Sequence, residues 1–460
     1  MNIRETIQGN YRFVITSSII LVLWPYVFYS NPVLYILIAM VLLFLINYNN
    51  KVVFLLIPLC FFLFPPFFTL SEDSDSSFIG NSFIYATRMF SIPIIYGFYK
   101  YCYQKKTMYQ LPLFNILVYA LMCLGYYVLN RNINDIYNCL YFIIFYILFY
   151  AFVREINISF KQICICLDII FWVLAVFAIL EFFFRYTPYD FIYYTFDNFQ
   201  IEDVVLLRTK SLCGHPLIMV GFLSFYQISL YARYMIYGNL QYVIILTSVF
   251  VLVSIISLSR TIIYIDLIVF LLFLFQNKKS LFNGKLLRMI IILLVIVSFV
   301  INYNWNVIEM IDERFSSSSL SYTNRFAAYE VSQIIFDHYP FGCGESLKSI
   351  MISLRYLFPT SFEILVLDNS FLEIICHYGI FCFVYVLLIV SPFKNIYRLL
   401  EHNSLSRKTF YLLVAIIILL SFSYTILTYR CFWVLIIVML KLVQSLKEYE
   451  IFYTNTSLQD

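Results

Sequence analysis

Residues 163–180 read ICICLDIIFWVLAVFAIL, eighteen positions with a single charge at Asp168. Wound as a helix at 1.5 Å per residue, they extend about 27 Å. A bilayer's hydrocarbon core is about 30 Å thick, so the stretch is nearly long enough to cross it. A surface helix of a soluble domain would keep one polar face, and this stretch has none. Similar apolar runs begin near residues 13, 33, 52, 82, 111, 136, 213, 240, 261, 287, 368, 408 and 430. Pro25, Pro65, Pro66 and Pro93 interrupt several of them. The expectation is an all-α polytopic membrane protein of about 12–14 transmembrane helices, with residues 1–460 forming a single integral membrane domain.

Composition agrees. Hydrophobic residues make up 62% of the 460 and charged residues 12%, where a soluble domain needs about 25% charged to keep its surface wet. A net charge of +4 is no basic footprint, so nucleic acid is excluded as a partner. The 11 cysteines are odd in number and sit mostly in apolar runs (Cys60, Cys123, Cys164, Cys382), where Cys acts as a small hydrophobe. That argues against a disulfide scaffold. Cys213 and Cys343 are the two expected outside the membrane, and a bridge between them is disfavoured. The histidines, at 215, 338, 377 and 402, have no metal-ligand spacing, so no metal is expected. The 49 Phe and 41 Tyr accompany abundant Ile, Asn and Lys, as an AT-rich genome would produce, and are not read as a sugar-stacking channel. The first apolar run lacks a small-residue cleavage site, so no cleavable signal is expected.

Orientation follows from charge. With the N-terminus placed inside and the spans alternating, most of the 30 basic residues, from Arg4 and Arg12 to Lys441 and Lys447, fall on the inner side. The short outer loops hold only Arg131, Arg260 and Arg430, and the acidic run 71–75 (SEDSD) also falls outside. This is the positive-inside bias, and it places both termini in the cytoplasm. Two outer segments are long, 185–212 and 304–367, and connections beyond about 15 residues are usually functional. Within the larger, 324–337 (NRFAAYEVSQIIFD) spaces Phe326, Ala327, Tyr329, Val331, Ile334 and Ile335 as one helical face. It is expected to form an amphipathic helix that lies on the membrane or caps a cavity, and a small external cap implies a site at the outer face. No internal repeat is visible, which weighs against an inverted-repeat transporter.

Ionisable groups inside spans are costly and ask for a reason. Asp168 lies toward the inner end, where a capping or snorkelling role is expected, and Glu181 with Arg185 at i+4 is explained by a local ion pair as well as by a catalytic role. Asn369, Glu373 and His377 recur every four residues, a polar stripe that must face protein or a watery chamber. A hydrogen-bond ladder between helices and a chamber wall are both open readings of it. Arg208, Arg260, Arg314 and Arg325 lie at the outer side against the charge trend, with Arg88 about two turns below. Guanidinium forks match phosphate oxygens, so converging arginines point to a phosphate or pyrophosphate ligand.

Four stretches carry a resemblance. Ser257-Leu258-Ser259-Arg260 resembles the S-x-S-R motif of the O-antigen ligase and polymerase superfamily (Wzy and WaaL types). Arg208 through Gly214-His215-Pro216 and Gly221 resembles the family's R-x-x-G-x-F-x-h-P stretch. Arg325 through Pro340-Phe341-Gly342-Cys343-Gly344 resembles its external-loop pattern ending P-x-x-G-x-G, and Asp368-Asn369 through Leu372-Glu373 and Gly379 resembles H-N-x-f-L-e…G. The four fall in the family's order and cover about residues 205–390.

The resemblance implies a GT-C-type glycosyltransferase at the outer face of a bacterial inner membrane. Its donor and acceptor would be glycans on undecaprenyl diphosphate, used without metal or cofactor and with inversion. Pyrophosphate departure would be stabilised by Arg260 first, then Arg208 and Arg325, with Arg314 and Arg88 as further pyrophosphate contacts. Asn369, His377, Gly342 and Gly344 would line the substrate chamber, the glycines by letting backbone approach. Asp368 stands where ligase-type members carry His, which shifts the expectation from ligase to polymerase. Asp368 and Glu373 are candidate base carboxylates, with His338 and His377 as imidazole alternatives. Membrane lipids, a chain-length regulator and a flippase are the partners this implies. The alternatives are a ligase that moves finished glycan to lipid A-core and, in a different class, a polysaccharide flippase or transporter.

Overall fold

A computed structural model describes residues 51–63, 90–103, 112–184, 209, 211–213, 216–237, 241–257, 259, 264–269, 320–357, 367, 369–402 and 404–456, with Ser17, Leu21 and Leu271. Among them there is helix and no strand. Helix is the one way a lone chain segment satisfies all its backbone groups in a bilayer.

The helices in chain order are α1 Val53–Leu59, α2 Ser91–Phe98, α3 Leu113–Asn130, α4 Asn134–Phe142, α5 Phe149–Glu155, α6 Phe160–Phe184, α7 Pro216–Tyr237 and α8 Gln241–Ile256. They continue as α9 Leu320–His338, α10 Leu347–Leu357, α11 Ser370–Tyr378, α12 Cys382–Leu399, α13 Leu405–Ser423 and α14 Arg430–Thr456. A π turn, Ile143–Leu148, joins α4 to α5 as one long helix. Among the described residues, five stretches are long and apolar enough to cross a membrane: Leu113–Asn130, Asn134–Glu155, Phe160–Phe184, Ser370–Leu399 and Leu405–Ser423. Ile245–Ile256 is a shorter apolar helix. The expected runs near 13, 33 and 287 lie outside the described residues apart from Ser17 and Leu21.

The bundle is organised around α14, in which every residue from Cys431 to Val443 is buried. A helix buried on all sides is a core helix, and α14 touches α1, α5, α6, α7, α12 and α13. Its Lys441 donates to the Arg154 carbonyl at 3.3 Å, and the Glu450 carboxylate accepts from the Leu405 N–H at 2.6 Å. These contacts tie together the end assigned by charge to the cytoplasm.

Asp168 departs from its expected role. It is buried in a bidentate pair with Arg233 of α7, at 2.7 and 3.0 Å. The Tyr226 hydroxyl also donates to it, at 2.7 Å. The charge therefore clasps α6 to α7 instead of snorkelling. Glu181 accepts the Ser211 N–H at 2.8 Å, while Arg185 lies outside the described residues.

A second, smaller core forms beyond the bundle. Ala328, Val331 and Ile335 of α9 close on Cys343, Leu347, Met351, Leu367 and Cys376. The amphipathic helix expected at 324–337 is present, but with a rotated face. Ala328, Val331, Ser332 and Ile335 are buried, whereas Tyr329 is half exposed. The cause is its partner: α9 packs on α11 of the same chain through i, i+3, i+4 and i+7, and the smallest residue of the set, Ala328, admits the close approach.

Candidate site at the capped end

Gly379 breaks the helix that begins at Ser370. Its φ of +52° is left-handed, a conformation side chains resist, and α11 ends there before α12 resumes at Cys382. The break leaves a free α11 end on which the cap loop settles. Ile380 donates its N–H to the Pro340 carbonyl at 2.9 Å, and Cys343 donates its N–H to the Cys376 carbonyl at 3.1 Å. Gly342 (φ +91°) sits so close that a Cβ would meet the His377 carbonyl oxygen at 2.4 Å. Gly344 (φ +55°) would push a Cβ to 2.2 Å from the Asp135 carboxylate. Both glycines therefore serve close backbone approach, one to α11 and the other to the start of α4.

The α3–α4 hairpin holds this loop from the other side. Tyr126 donates its hydroxyl to the Phe341 carbonyl at 2.6 Å and lies 3.1 Å from the Tyr378 carbonyl. Asn130 donates to the Cys343 carbonyl at 2.9 Å. Asp135, buried in the first turn of α4, accepts the Glu345 N–H at 2.7 Å through Oδ1. Its Oδ2 is buried without a hydrogen-bond partner.

That arrangement aims Glu345 at the polar stripe of α11. Glu345 Oε1 lies 3.8 Å from His377 Nδ1, and His377 Nε2 lies 3.8 Å from Glu373 Oε1. The other Glu373 oxygen accepts from the Thr428 hydroxyl. An imidazole is thus flanked by two carboxylates, each supplied by a different element. Such a set can relay a proton or orient a hydroxyl, and its charges are linked across the cap boundary. Nearby, burial pushes the Cys343 thiol up to about 12, so it stays protonated while the cap is closed.

Asn369 plays a different part. Its carboxamide oxygen accepts the N–H groups of Phe371 and Leu372, at 2.9 and 3.2 Å, as the N-cap of α11. Helix capping commits that oxygen. His338 ends α9 at the exposed surface, with Nδ1 2.8 Å from the carbonyl of Ile334 in its own helix. The structure therefore brings together Glu373, His377, Asn369, Gly342 and Gly344, and leaves His338 apart. Arg88, Arg208, Arg260, Arg314 and Asp368 lie outside the described residues; Arg325 belongs to α9 by its backbone, and its side chain is likewise outside them.

Glu345, Asp135, Tyr126 and Thr428 were not singled out in the sequence. Asp135 had a usable signal, an acid in the first turn of an apolar helix. Glu345 directly follows the G-x-G pair. Tyr126 and Thr428 had none, being ordinary residues in apolar or loop sequence.

The stretches carrying the resemblance also meet. Thr209, next to Arg208, donates its hydroxyl to the Ile256 carbonyl at 3.3 Å, four residues before Arg260, which joins the first and second. Ser370 donates to the Tyr424 carbonyl at 2.8 Å, bringing the fourth onto the connection between α13 and α14. The Tyr424 ring meets Phe432 edge-on at 6.0 Å. Gly221, in the stretch that starts at Arg208, lies against the Phe432 ring. Thr209 thereby meets the end of α8, while Ser370 and Gly221 are linked through Tyr424 and Phe432. No protein-family model matches this chain, and no curated protein does.

Proposed function

We propose that this chain is a membrane glycosyltransferase that polymerises oligosaccharide repeat units carried on undecaprenyl diphosphate at the outer face of a bacterial inner membrane. The product would be O-antigen or a capsular or exopolysaccharide. The observation that carries the reading is that the motif-like stretches, far apart in sequence, are joined by contacts: Thr209 with Ile256, the 340–343 loop with the end of α11, and Ser370 with the α13–α14 connection.

The chemistry divides among these segments. Departure of a diphosphate develops negative charge, which preorganised guanidinium groups stabilise in a water-poor site. Arg260 is assigned that role, with Arg208 and Arg325 as partners and Arg314 and Arg88 as outlying contacts. The acceptor hydroxyl must be held in line and relieved of its proton. Asp368 and Glu373 are the carboxylates assigned to that end, Glu373 with His377 beside it. Attack on the anomeric carbon as the diphosphate leaves gives inversion. The assignment gives cationic groups to the leaving diphosphate and carboxylates to the nucleophile, one set for each end of the displacement.

The test is a gel of surface glycan from a strain lacking the gene, with lipid-linked intermediates extracted alongside and plasmid-borne wild type or Arg260→Ala returned. A polymerase leaves single repeat units where a ladder stood, and Arg260→Ala fails to restore the ladder although it inserts normally. Long chains stranded on the lipid carrier would make the protein a ligase instead. Single units held at the cytoplasmic face would make it a flippase. A full ladder from Arg260→Ala would remove the mechanism.

A further inference from the structure

The cap rests on the bundle through a small core, and two cysteines stand at its centre. Cys343 and Cys376 are each 1% exposed and share the second core with Ala328, Val331, Ile335, Leu347 and Met351. Cys343 directs both its N–H and its thiol at the Cys376 carbonyl, at 3.1 Å each. With Ile380 donating to Pro340, the cap loop and the end of α11 run antiparallel past one another. Both are free thiols in this structure, and the single backbone hydrogen bond from Cys343 to the Cys376 carbonyl sets the two residues side by side. Disulfides span roughly 4.4–6.8 Å between Cα atoms. The Cys376 sulfur turns toward the Ser332 carbonyl at 3.9 Å, and pairing with Cys343 requires it to leave that long contact. Cys213, the other cysteine expected outside the membrane, donates instead to the Phe62 carbonyl at 3.1 Å and faces the main core.

We propose that Cys343 and Cys376 form a disulfide that fastens the cap to α11 when this end of the bundle faces an oxidising compartment. The inference rests on the outward orientation assumed for the proposed function, but not on glycan transfer itself. The two residues lie 33 apart, so the bridge closes a loop containing the end of the cap, α10 and the entry to α11. Formation is a dithiol–disulfide exchange. One thiolate attacks a disulfide sulfur of a protein or small-molecule oxidant, giving a mixed disulfide and one oxidant thiol. The second thiolate then attacks the bound cysteine sulfur and releases the other oxidant thiol. Two protons leave the cysteines and two electrons reduce the oxidant. A closed cap excludes the oxidant, so the exchange belongs to folding or to an opened cap, and closure afterwards shields the bond from reductant. The consequence is a cap that hinges about a fixed point beside His377 instead of lifting away.

The test uses the full-length protein in native membranes. Free thiols are blocked in denaturant with a light maleimide after acid quenching; the sample is then reduced, labelled with a heavy maleimide and mapped by mass spectrometry. The expected result is heavy label on Cys343 and Cys376 together and light label on Cys213. Cys343→Ser should return Cys376 to the light label. Light label on both in the native protein overturns the disulfide. A parallel Tyr339→Cys variant in the Cys343→Ser/Cys376→Ser background, treated in intact cells with a membrane-impermeant maleimide, separates the causes. Its labelling with both native cysteines light sinks the bridge alone, whereas no labelling also removes the orientation on which the glycan reading depends.

Discussion

Replacing Gly344 by alanine tests the cap at its tightest point. Gly344 has φ +55°, and a Cβ would stand 2.2 Å from Asp135 Oδ1 and 3.1 Å from Tyr126 Cβ. The first cost is conformational, about 1–2 kcal/mol for a side chain in the left-handed region. The second depends on what yields. The nearest obstacle is the end of a side chain, so the Asp135 carboxylate can swing aside, but it then abandons the Glu345 N–H that it holds at 2.7 Å. A hydrogen bond to a charged group contributes about 1.5–3 kcal/mol. Together the substitution should favour cap opening by about 2.5–5 kcal/mol, roughly two to three and a half decades in the opening equilibrium. Hydrogen exchange of the Cys343 and Glu345 amides, measured in nanodiscs, reads that equilibrium directly. Gly125→Ala is the control, because a Cβ there meets nothing within 4 Å, and cap exchange should be unchanged. If Gly344→Ala exchanged at the parent rate, the close approach of cap loop and α4 would be refuted. The Glu345–His377–Glu373 alignment that depends on it would fall as well.

Two further outcomes follow from the bundle. Gly221→Ala should lower the melting temperature in detergent by the equivalent of about 1–3 kcal/mol. Its Cβ would meet Phe432 at 2.4 Å, and that ring is wedged against Phe62 and Tyr424; an unchanged melting temperature would show that the ring can retreat. Arg233→Met should cost about 3–5 kcal/mol by leaving the Asp168 carboxylate buried without its cation. The double variant with Asp168→Leu should recover much of that loss, and equal damage in single and double variants would mean that the pair is not what holds α6 to α7.

The cap shows where sequence reading succeeds and where it stops. The helix at 324–337 was legible because its apolar spacing is a local property of the chain. Its buried face was not, since Tyr329 and Ala328 differ only in which neighbour they meet, and that neighbour is α11. The stripe of Asn369, Glu373 and His377 was legible as polar groups on an apolar helix. Its division of labour was not: Asn369 turned inward as a cap, and only Glu373 and His377 joined the charged set. Gly342 and Gly344 were expected to let backbone approach something. Only the fold identified the two surfaces as α11 and the Asp135 carboxylate.

The sequence by itself determined that the described residues fold as helices, several of them long and apolar enough to cross a membrane, because bilayer burial depends on the summed hydropathy of about twenty consecutive residues. Only the tertiary structure decided which polar groups meet, joining Asp135 to Glu345 across 210 residues and Tyr126 to Phe341 across 215. The physical reason lies in the helices themselves. One that is apolar on every side, such as α14, has no face that specifies its neighbours. Their pairing is settled by shape, by glycine clearances and by a few buried hydrogen bonds that form only once the helices have packed.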